Sequence, residues 1–365
     1  MDIKVITRHA PSNYGSLLQS IATLCVLKEL GHQAKIIDYV RFDEIGFRKV
    51  QTEARLKSHN IFKRILYLVV RYPIEKYAEL RFDNMRRKYL SLTPKYHTSQ
   101  ELENLHADIF LTGSDQVWGP IVNGTYDSAY FLSFVNKSVK VSYAASFGRD
   151  VFDLSTQVQY KEMLSSYKGI TVREDSAVKL LHELNIDCLG QVLDPTLLLS
   201  KKRWCKLLDI DETLPSGKPY ILVYQIHNDR NLSNYAIRLS QNKNIRLVRV
   251  NPFFHQITRG GYFICCPELK DFISLIMNAT YIVTDSFHGT CFSIIFNKQF
   301  VEILPNNKTG TRNMSLLQLF DLSSRVVSKY SDFSIVDHNI QYDNVNKLLE
   351  YARIDSLNKM KMLLK

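Results

Sequence analysis

The stretch YIVTDSFHGT at residues 281–290, followed by the apolar run CFSIIF at 291–296, decides the fold. It predicts a short buried strand, a tight polar turn with one histidine, and then a helix. In an open α/β sheet, ligands bind where the chain leaves the carboxyl end of a strand. The helix start favours an anion, and His288 can exchange a proton near neutral pH. The stretch therefore predicts an enzyme that acts on an anionic substrate, with a buried hydrogen-bonding histidine as the alternative.

The same alternation of strands and helices extends on both sides of this stretch. Further strands are predicted at residues 3–7, 34–39, 109–111, 139–143, 169–172, 191–193, 220–224, 245–250 and 300–304. Proline and glycine within 199–219 mark the best boundary, which predicts a first domain over 1–198 and a second over 199–365. The periodic segment 344–364 is expected to form a helix that packs back on the first domain. We therefore predict an α/β protein in which two Rossmann-like domains face a cleft, in a GT-B-like arrangement.

Composition is typical of a globular protein with two cores. The chain has 365 residues, of which 45% are hydrophobic and 23% charged. Its six cysteines show no metal-ligand spacing, so we predict reduced thiols and no bound metal. The N-terminal MDIK runs directly into a strand pattern, which predicts no signal peptide, and no apolar run reaches the ~18 residues of a membrane span. These features predict a cytoplasmic location.

The net charge of +11 is concentrated in one region. A helical insertion is predicted over about 42–98, and its residues 48–95 contain 13 Lys/Arg and four Asp/Glu, a local charge of +9. Apolar runs and aromatic residues alternate with these charges. Two interpretations are open: peripheral contact with the anionic inner face of a membrane, or a solvated insertion that packs by its apolar side. No nucleic-acid recognition motif accompanies the charge, so no nucleic-acid partner is predicted.

Two loops of the first domain carry candidate binding residues. In PSNYGS at 11–16, the backbone of Asn13, Tyr14, Gly15 and Ser16 is suited to close approach by a ligand, although a simple helix cap is the alternative. In GSDQVW at 113–118, Ser114, Asp115 and Trp118 combine a carboxylate with an aromatic plane, as sugar recognition requires. A tight turn with a core tryptophan is the alternative there.

Two further loops carry cations. Arg173 follows a strand and can bind a carboxylate or phosphate through two N–H groups, or can form a salt bridge with Glu174 or Asp175. The loop KTGTRN at 308–313 is cationic, with a solvated basic turn as the alternative. Each loop alone is a weak signal. Their shared location near strand ends makes them a candidate site.

Six ordered motifs resemble the bacterial polysaccharide pyruvyl transferase family. They are NYGSLLQ at 13–19, GSDQVW at 113–118, SYAASFG at 142–148, VRE at 172–174, LDPT at 193–196 and TDSFHG at 284–289. The resemblance covers most of the chain and implies a GT-B-like enzyme. Such an enzyme uses phosphoenolpyruvate, without a further cofactor, to place a pyruvate ketal on a sugar of a capsular or exopolysaccharide. Its partners would be phosphoenolpyruvate and a glycan or lipid-linked sugar.

The resemblance also implies roles for particular residues. The phosphoenolpyruvate site would lie on the second domain side, and the acceptor site would lie on the first, at Asn13, Tyr14, Gly15, Ser16, Ser114, Asp115 and Trp118. The resemblance implies that Arg173 and His288 sit at the donor site, and the loops around them add Ser286, Gly289, Lys308 and Arg312 as candidate donor residues. His288 would be the catalytic acid or a phosphate-binding residue. Many members have arginine where this chain has Ser286, and Arg312 or Lys308 is the candidate replacement.

Two other functions remain as alternatives. A glycosyltransferase that uses a nucleotide sugar has the same architecture, but the chain shows no Gly-rich nucleotide loop and no paired acidic motif in its second half. A non-catalytic glycan-binding relative is the third possibility, because the serine at position 286 departs from the family pattern.

Overall fold

The computed structural model describes residues 1–57, 60–121, 124–149, 152–211, 217–305 and 310–365. Two parallel sheets form its centre. The first has the order β3-β2-β1-β4-β5-β6 and the second the order β11-β10-β7-β8-β9. Every strand pairing is parallel, which confirms the predicted α/β class.

The bounds of the strands follow the apolar runs of the sequence. They are β1 Asp2–Ile6, β2 Gln33–Tyr39, β3 Leu92–Tyr96, β4 Ile109–Thr112, β5 Val139–Ala145, β6 Gly169–Val172, β7 Tyr220–Tyr224, β8 Arg246–Asn251, β9 Tyr262–Cys265, β10 Tyr281–Thr284 and β11 Gln299–Glu302. The central strands β4 and β7 are buried on both faces, as parallel strands covered by helices on either side must be.

Twelve α-helices lie within the described ranges. They are α1 Tyr14–Glu29, α2 Gly46–Lys57, α3 Ile61–Tyr89, α4 Leu154–Leu164, α5 Asp175–Glu183, α6 Pro195–Leu198, α7 Lys201–Leu208, α8 Arg230–Lys243, α9 Leu269–Asn278, α10 Phe287–Ile295, α11 Gly310–Leu319 and α12 Tyr342–Leu363. Of the helices in those ranges, none is both long and apolar enough to cross a bilayer.

Sequence reasoning was wrong about one strand and missed two others. Residues 191–193 make only an isolated bridge from Gln191 to Val172, because Asp194 already caps the short helix α6. The missed strands β3 and β9 each lie at a sheet edge. Strand β3 falls inside the predicted helical insertion; the rest of that segment includes α2 and α3.

The two sheets are joined through apolar contacts and a returning helix. The ring of Tyr14 in α1 stacks on Phe272 of α9 at 4.0 Å, so one core cluster runs from the first sheet to the second. Helix α12 contacts β5 and β6, and its Ser356 hydroxyl accepts a hydrogen bond from the Leu193 N–H at 2.9 Å. These contacts hold the carboxyl ends of the two sheets close together.

Candidate active site

A cavity of about 210 Å³ lies where the carboxyl ends of the two sheets meet. Both halves of the chain line it, which is the position expected for a ligand in open α/β sheets. The first sheet contributes Arg8, Pro11, Asn13, Ser16, Asp115 and Gln116. The second contributes Ile226, His227, Asp285, Ser286, Phe287 and His288, and α11 contributes Arg312.

His288 is held at the start of α10 between two close neighbours. Ser286 caps this helix, and its hydroxyl accepts a hydrogen bond from the Gly289 N–H at 3.2 Å. The His288 Nε2 lies 3.6 Å from the Asp194 carboxylate and has no hydrogen-bond partner among the described residues. On its other side the ring meets Gly15, where an added Cβ would lie 2.1 Å from Nδ1. Only glycine at position 15 permits this approach.

Position 289 also has no room for a side chain, so it requires glycine. An added Cβ there would lie 2.4 Å from the Thr284 Oγ1, which itself donates a hydrogen bond to the Tyr224 carbonyl. The glycine therefore allows α10 to start directly against the end of β10. At the donor site predicted for it, Gly289 could contribute only its backbone, because it has no side chain.

Asp194 is the centre of the buried side of the site. Its carboxylate accepts hydrogen bonds from the Ser114 hydroxyl at 2.8 Å, from Arg173 at 3.0 Å and from the Thr196 hydroxyl at 2.7 Å. Burial alone would raise the pKa of Asp194, but the charges of His288 and Arg173 and the hydrogen bonds hold that pKa far below its usual value. Asp194 is therefore a permanent carboxylate beside the His288 ring.

Arg173 lies behind the cavity wall. Its guanidinium pairs with Asp194 and stacks at 4.3 Å over the ring of Phe287, which lines the cavity. Its salt bridge is thus with Asp194, and not with Glu174 or Asp175 as sequence reasoning considered. The Arg173 Nη2 is 3.9 Å from Asp115 and makes no hydrogen bond among the described residues.

Arg312 lines the cavity directly. Its guanidinium lies 6.0 Å from the Phe287 ring, on which Arg173 also stacks, and its buried Nε has no hydrogen-bond partner within the described ranges. Burial, with the nearby charge of Arg173, lowers the pKa of Arg312 to about 10. A desolvated guanidinium beside a second one is a position that a bound anion would stabilise. Lys308, the other candidate cation, lies outside the described residues.

Three of the candidate acceptor residues lie at or beside the cavity. The Asn13 side chain accepts hydrogen bonds from the Gly15 and Ser16 N–H groups, so it caps α1 while it lines the cavity. Ser16 donates a hydrogen bond to Asp115 at 2.8 Å. Although burial raises the pKa of Asp115, Arg173 and His288 hold it below its usual value. The Asp115 φ of 80° turns the backbone so that its side chain faces these partners.

Tyr14, Ser114 and Trp118 do not line the cavity, which corrects their predicted contact with a sugar. Tyr14 is fully buried between the sheets, and its hydroxyl donates to the Pro267 carbonyl at 2.6 Å. Trp118 is fully buried as well, and its indole N–H donates to the Tyr130 carbonyl at 3.3 Å. Rings enclosed in this way have no face left for a sugar. The alternative of a core tryptophan in a tight turn therefore holds.

Sequence reasoning missed several residues of the site. His227 follows β7 and lines the cavity, and its Nδ1 lies 3.2 Å from Asp285. Asp285 also accepts hydrogen bonds from the Ile226 and His227 N–H groups, so it fixes the loop after β7. Arg8 follows β1 and pairs with Glu44 at 2.9 Å. Their position in the sequence could have indicated them, because each residue comes within three residues of a strand end.

Among the described residues, no group of three or more His, Cys, Asp or Glu side chains is arranged to hold a metal ion. The cavity instead combines two arginines, two histidines and carboxylates that are already hydrogen-bonded within the protein. This set can bind an anion and exchange protons.

The fold and the cleft define a GT-B-like α/β protein, as predicted. UDP-N-acetylglucosamine 2-epimerase from Rickettsia bellii has 11% identity and a TM-score of 0.54, over 100% of this chain and 96% of its own. The S. aureus MnaA–UDP co-structure has 13% identity and a TM-score of 0.51, over 97% of this chain and 90% of its own. At such identities the likeness shows the fold alone.

The family follows from the sequence. The model of the family described as polysaccharide pyruvyl transferase matches residues 13–307, which is most of the chain. The protein belongs to this family and is a transferase, which confirms the resemblance inferred from the six motifs. No curated protein matches the chain.

Proposed function

We propose that this protein transfers the enolpyruvyl group of phosphoenolpyruvate to two hydroxyls of a glycan sugar and forms a pyruvate ketal. One arrangement carries the proposal. This member of the polysaccharide pyruvyl transferase family has a cavity at the start of α10, where the buried Nε of Arg312 and the Nε2 of His288 have no hydrogen-bond partner among the described residues. Phosphoenolpyruvate carries a phosphate and a carboxylate, and guanidinium groups and helix starts favour both.

The cation missing at position 286 is replaced by Arg312. Ser286 serves as the helix cap, so its hydroxyl is already engaged with Gly289. Arg312 reaches the same cavity from α11, and its buried Nε has no hydrogen-bond partner within the described ranges. We assign it to the phosphate or carboxylate of the donor. Arg173, which lies behind Phe287, sets the charge and position of Asp194 and is assigned a positioning role.

His288 is assigned as the general acid. The reaction begins when a proton moves to the CH₂ carbon of phosphoenolpyruvate, which creates positive charge at C2. Asp194, held as a carboxylate next to the ring, stabilises the protonated imidazole that must deliver this proton. Gly15 keeps the ring in this orientation by leaving it space.

The remaining steps form the ketal. One sugar hydroxyl bonds to C2 and loses its proton, the bond from C2 to the phosphate oxygen breaks, and the second hydroxyl closes the ring. The two protons lost by the sugar balance the one gained by the methylene carbon and the one that leaves with phosphate. A base must accept the first of them, and His227 is assigned that role because it lines the same cavity as Asp115 and Ser16.

The acceptor is assigned to the first-domain side of the cavity. Asn13, Ser16 and Asp115 offer polar atoms there, as hydroxyl recognition requires. We propose a glycan or lipid-linked sugar as acceptor, a role in capsular or exopolysaccharide biosynthesis, and a cytoplasmic site of action. Phosphoenolpyruvate is the donor substrate, and no separate cofactor is required by this chemistry.

The test supplies phosphoenolpyruvate with a panel of lipid-linked sugars that carry neighbouring hydroxyls. The expected result is release of phosphate together with the mass gain of one pyruvate ketal, and a loss of about 10²–10⁴-fold in rate for His288→Gln. Release of a nucleotide from a sugar nucleotide, with no use of phosphoenolpyruvate, would replace this function by glycosyl transfer. Binding of phosphoenolpyruvate without turnover on any acceptor would identify a non-catalytic relative.

A further inference from the structure

The first half of α3 exposes its apolar side chains. Six of them, with exposed fractions between 51% and 79%, are Ile61, Phe62, Ile65, Leu66, Val69 and Val70. We call these six residues the α3 apolar face. Single exposed apolar residues are ordinary, but a contiguous group on one helix marks a surface that another body covers.

The geometry of the helix gathers these residues on one side. At about 100° per residue, the six positions fall within roughly half of the circumference. The opposite side of α3 packs on the protein: the Tyr67 hydroxyl bonds to Glu53 of α2, and Ala78 and Phe82 are fully buried. The usual pattern of a surface helix, apolar inward and polar outward, is therefore inverted along this half of α3.

The charges around the α3 apolar face are mainly positive. No Asp or Glu occurs between Glu53 and Glu75, whereas five cations do: Arg55, Lys57, Lys63, Arg64 and Arg71. Arg55, Lys57 and Lys63 are exposed. The Glu53 carboxylate lies on the opposite side of the helix, where the Tyr67 hydroxyl donates to it. An apolar strip bordered mainly by cations complements a surface that is apolar inside and anionic at its boundary.

We propose that the α3 apolar face, with its bordering cations, binds the surface of an anionic lipid bilayer. The helix would lie in the plane of the membrane, with its apolar side chains below the headgroups and its cations among them. A second copy of the chain is a poorer occupant, because apposing two such faces would bring the exposed cations of one copy against those of the other.

The position of α3 connects this surface with the cavity. The other half of the helix reaches the loop between β1 and α1, part of which lines the cavity. There Arg86 donates a hydrogen bond to the Ala10 carbonyl at 2.7 Å, and the Tyr77 ring contacts Phe254 of the second domain. From Phe62 to Arg86 the helix spans about 36 Å. Lipid binding itself does not depend on the proposed function. Its use in presenting a lipid-linked acceptor to the cavity does.

The experiment is flotation of the full chain with vesicles of phosphatidylcholine alone or mixed with phosphatidylglycerol. We expect binding to the anionic vesicles only, and a steep decline as salt rises, because a Debye length is about 10 Å at 0.1 M salt. Phe62→Ser/Leu66→Ser should lower the partition coefficient by about tenfold or more. Arg55→Gln/Lys63→Gln should lower it similarly at low salt.

Matched controls come from α4 and from the turn that follows it. Leu154→Ser/Val158→Ser removes apolar side chains with comparable exposure, 79% and 68%, from another helix. Lys161→Gln/Lys168→Gln removes two exposed cations elsewhere. Both controls should bind as the unmodified protein does.

Three results would overturn the proposal. They are absence of binding to anionic vesicles at low salt, equal binding to neutral vesicles, and equal losses in the test and control variants. Sedimentation that shows a dimer lost in Phe62→Ser/Leu66→Ser, without vesicle binding, would assign the surface to a second copy of the chain. Phosphate release from phosphoenolpyruvate with a water-soluble acceptor, measured in parallel, separates failure of this surface from failure of the proposed function.

Discussion

A single added methyl group at Gly15 should disable the site. In Gly15→Ala the new Cβ would lie 2.1 Å from the His288 Nδ1, 2.5 Å from Cγ and 2.8 Å from Cε1, whereas ordinary contact begins at 3.4 Å. All three clashing atoms belong to the ring, so the whole imidazole must move. Restoring contact at Nδ1 requires a shift of 1.3 Å, the difference between 3.4 and 2.1 Å.

Two opposing terms set the effect on stability. Alanine in place of glycine within a helix gains up to about 1 kcal/mol, and overpacking a buried contact costs about 1–3 kcal/mol. We therefore expect a net loss of about 0–2 kcal/mol in the free energy of unfolding of Gly15→Ala. The loss in turnover should be larger, about 10²-fold, because displacement of a catalytic group by about 1 Å has that effect.

A double-mutant cycle isolates the contact. In a His288→Ala background the ring is gone, so Gly15→Ala should become neutral or stabilising, with a coupling of about 1–3 kcal/mol measured by urea unfolding. Gly217→Ala is the control, because no atom lies within 4 Å of an added Cβ there. Equal costs with and without the ring, or turnover equal to that of the control, would refute the placement of His288 against Gly15.

Three further outcomes follow from the site. Arg312→Ala should weaken phosphoenolpyruvate binding by about 1.5–3 kcal/mol in titration calorimetry, with Arg312→Lys recovering only part; unchanged affinity would remove Arg312 from the donor site. His227→Gln should lower turnover about 10²–10⁴-fold without a change in Tm, and near-normal turnover would exclude it as the base. Burial raises the pKa of Glu302 to about 8, so the folded protein keeps a proton that the unfolded chain loses. The free energy of unfolding should therefore fall as pH rises from about 4.5 to 8, and Glu302→Gln should weaken this pH dependence. Equal pH dependence in the two proteins would contradict the raised pKa of Glu302.

The fold could be predicted because its signals are local and periodic. Apolar runs such as residues 220–224 and 281–284 form buried strands wherever helices cover both faces of a sheet. Strands β3 and β9 lie at sheet edges and carry fewer buried positions, so their patterns are weaker. Residues 191–193 have the apolar pattern of a strand, but Asp194 starts a helix before a ladder can form.

The site could be predicted only from the rule that ligands bind beside the carboxyl ends of parallel strands. This rule brings Asn13, Ser16, Asp115 and His288 to one cavity. It cannot tell which side chains at a strand end turn toward the ligand and which turn into the core. Trp118, only three residues after Asp115, turns into the core, where its indole N–H finds a carbonyl partner. Burial of that kind depends on packing between distant segments.

The arginines of the site act in two layers, and the sequence pattern alone cannot separate them. Arg173 forms a salt bridge with Asp194 within the protein, so its charge is already neutralised before any substrate binds. Arg312 lies near the same Phe287 ring and lines the cavity, and its buried Nε has no hydrogen-bond partner in the described part of the chain. Under the proposed function, a substrate anion would gain most from Arg312, because burial desolvates that charge. In the same proposal, Arg173 and Asp194 position His288, and Arg312 supplies the attraction for the ligand.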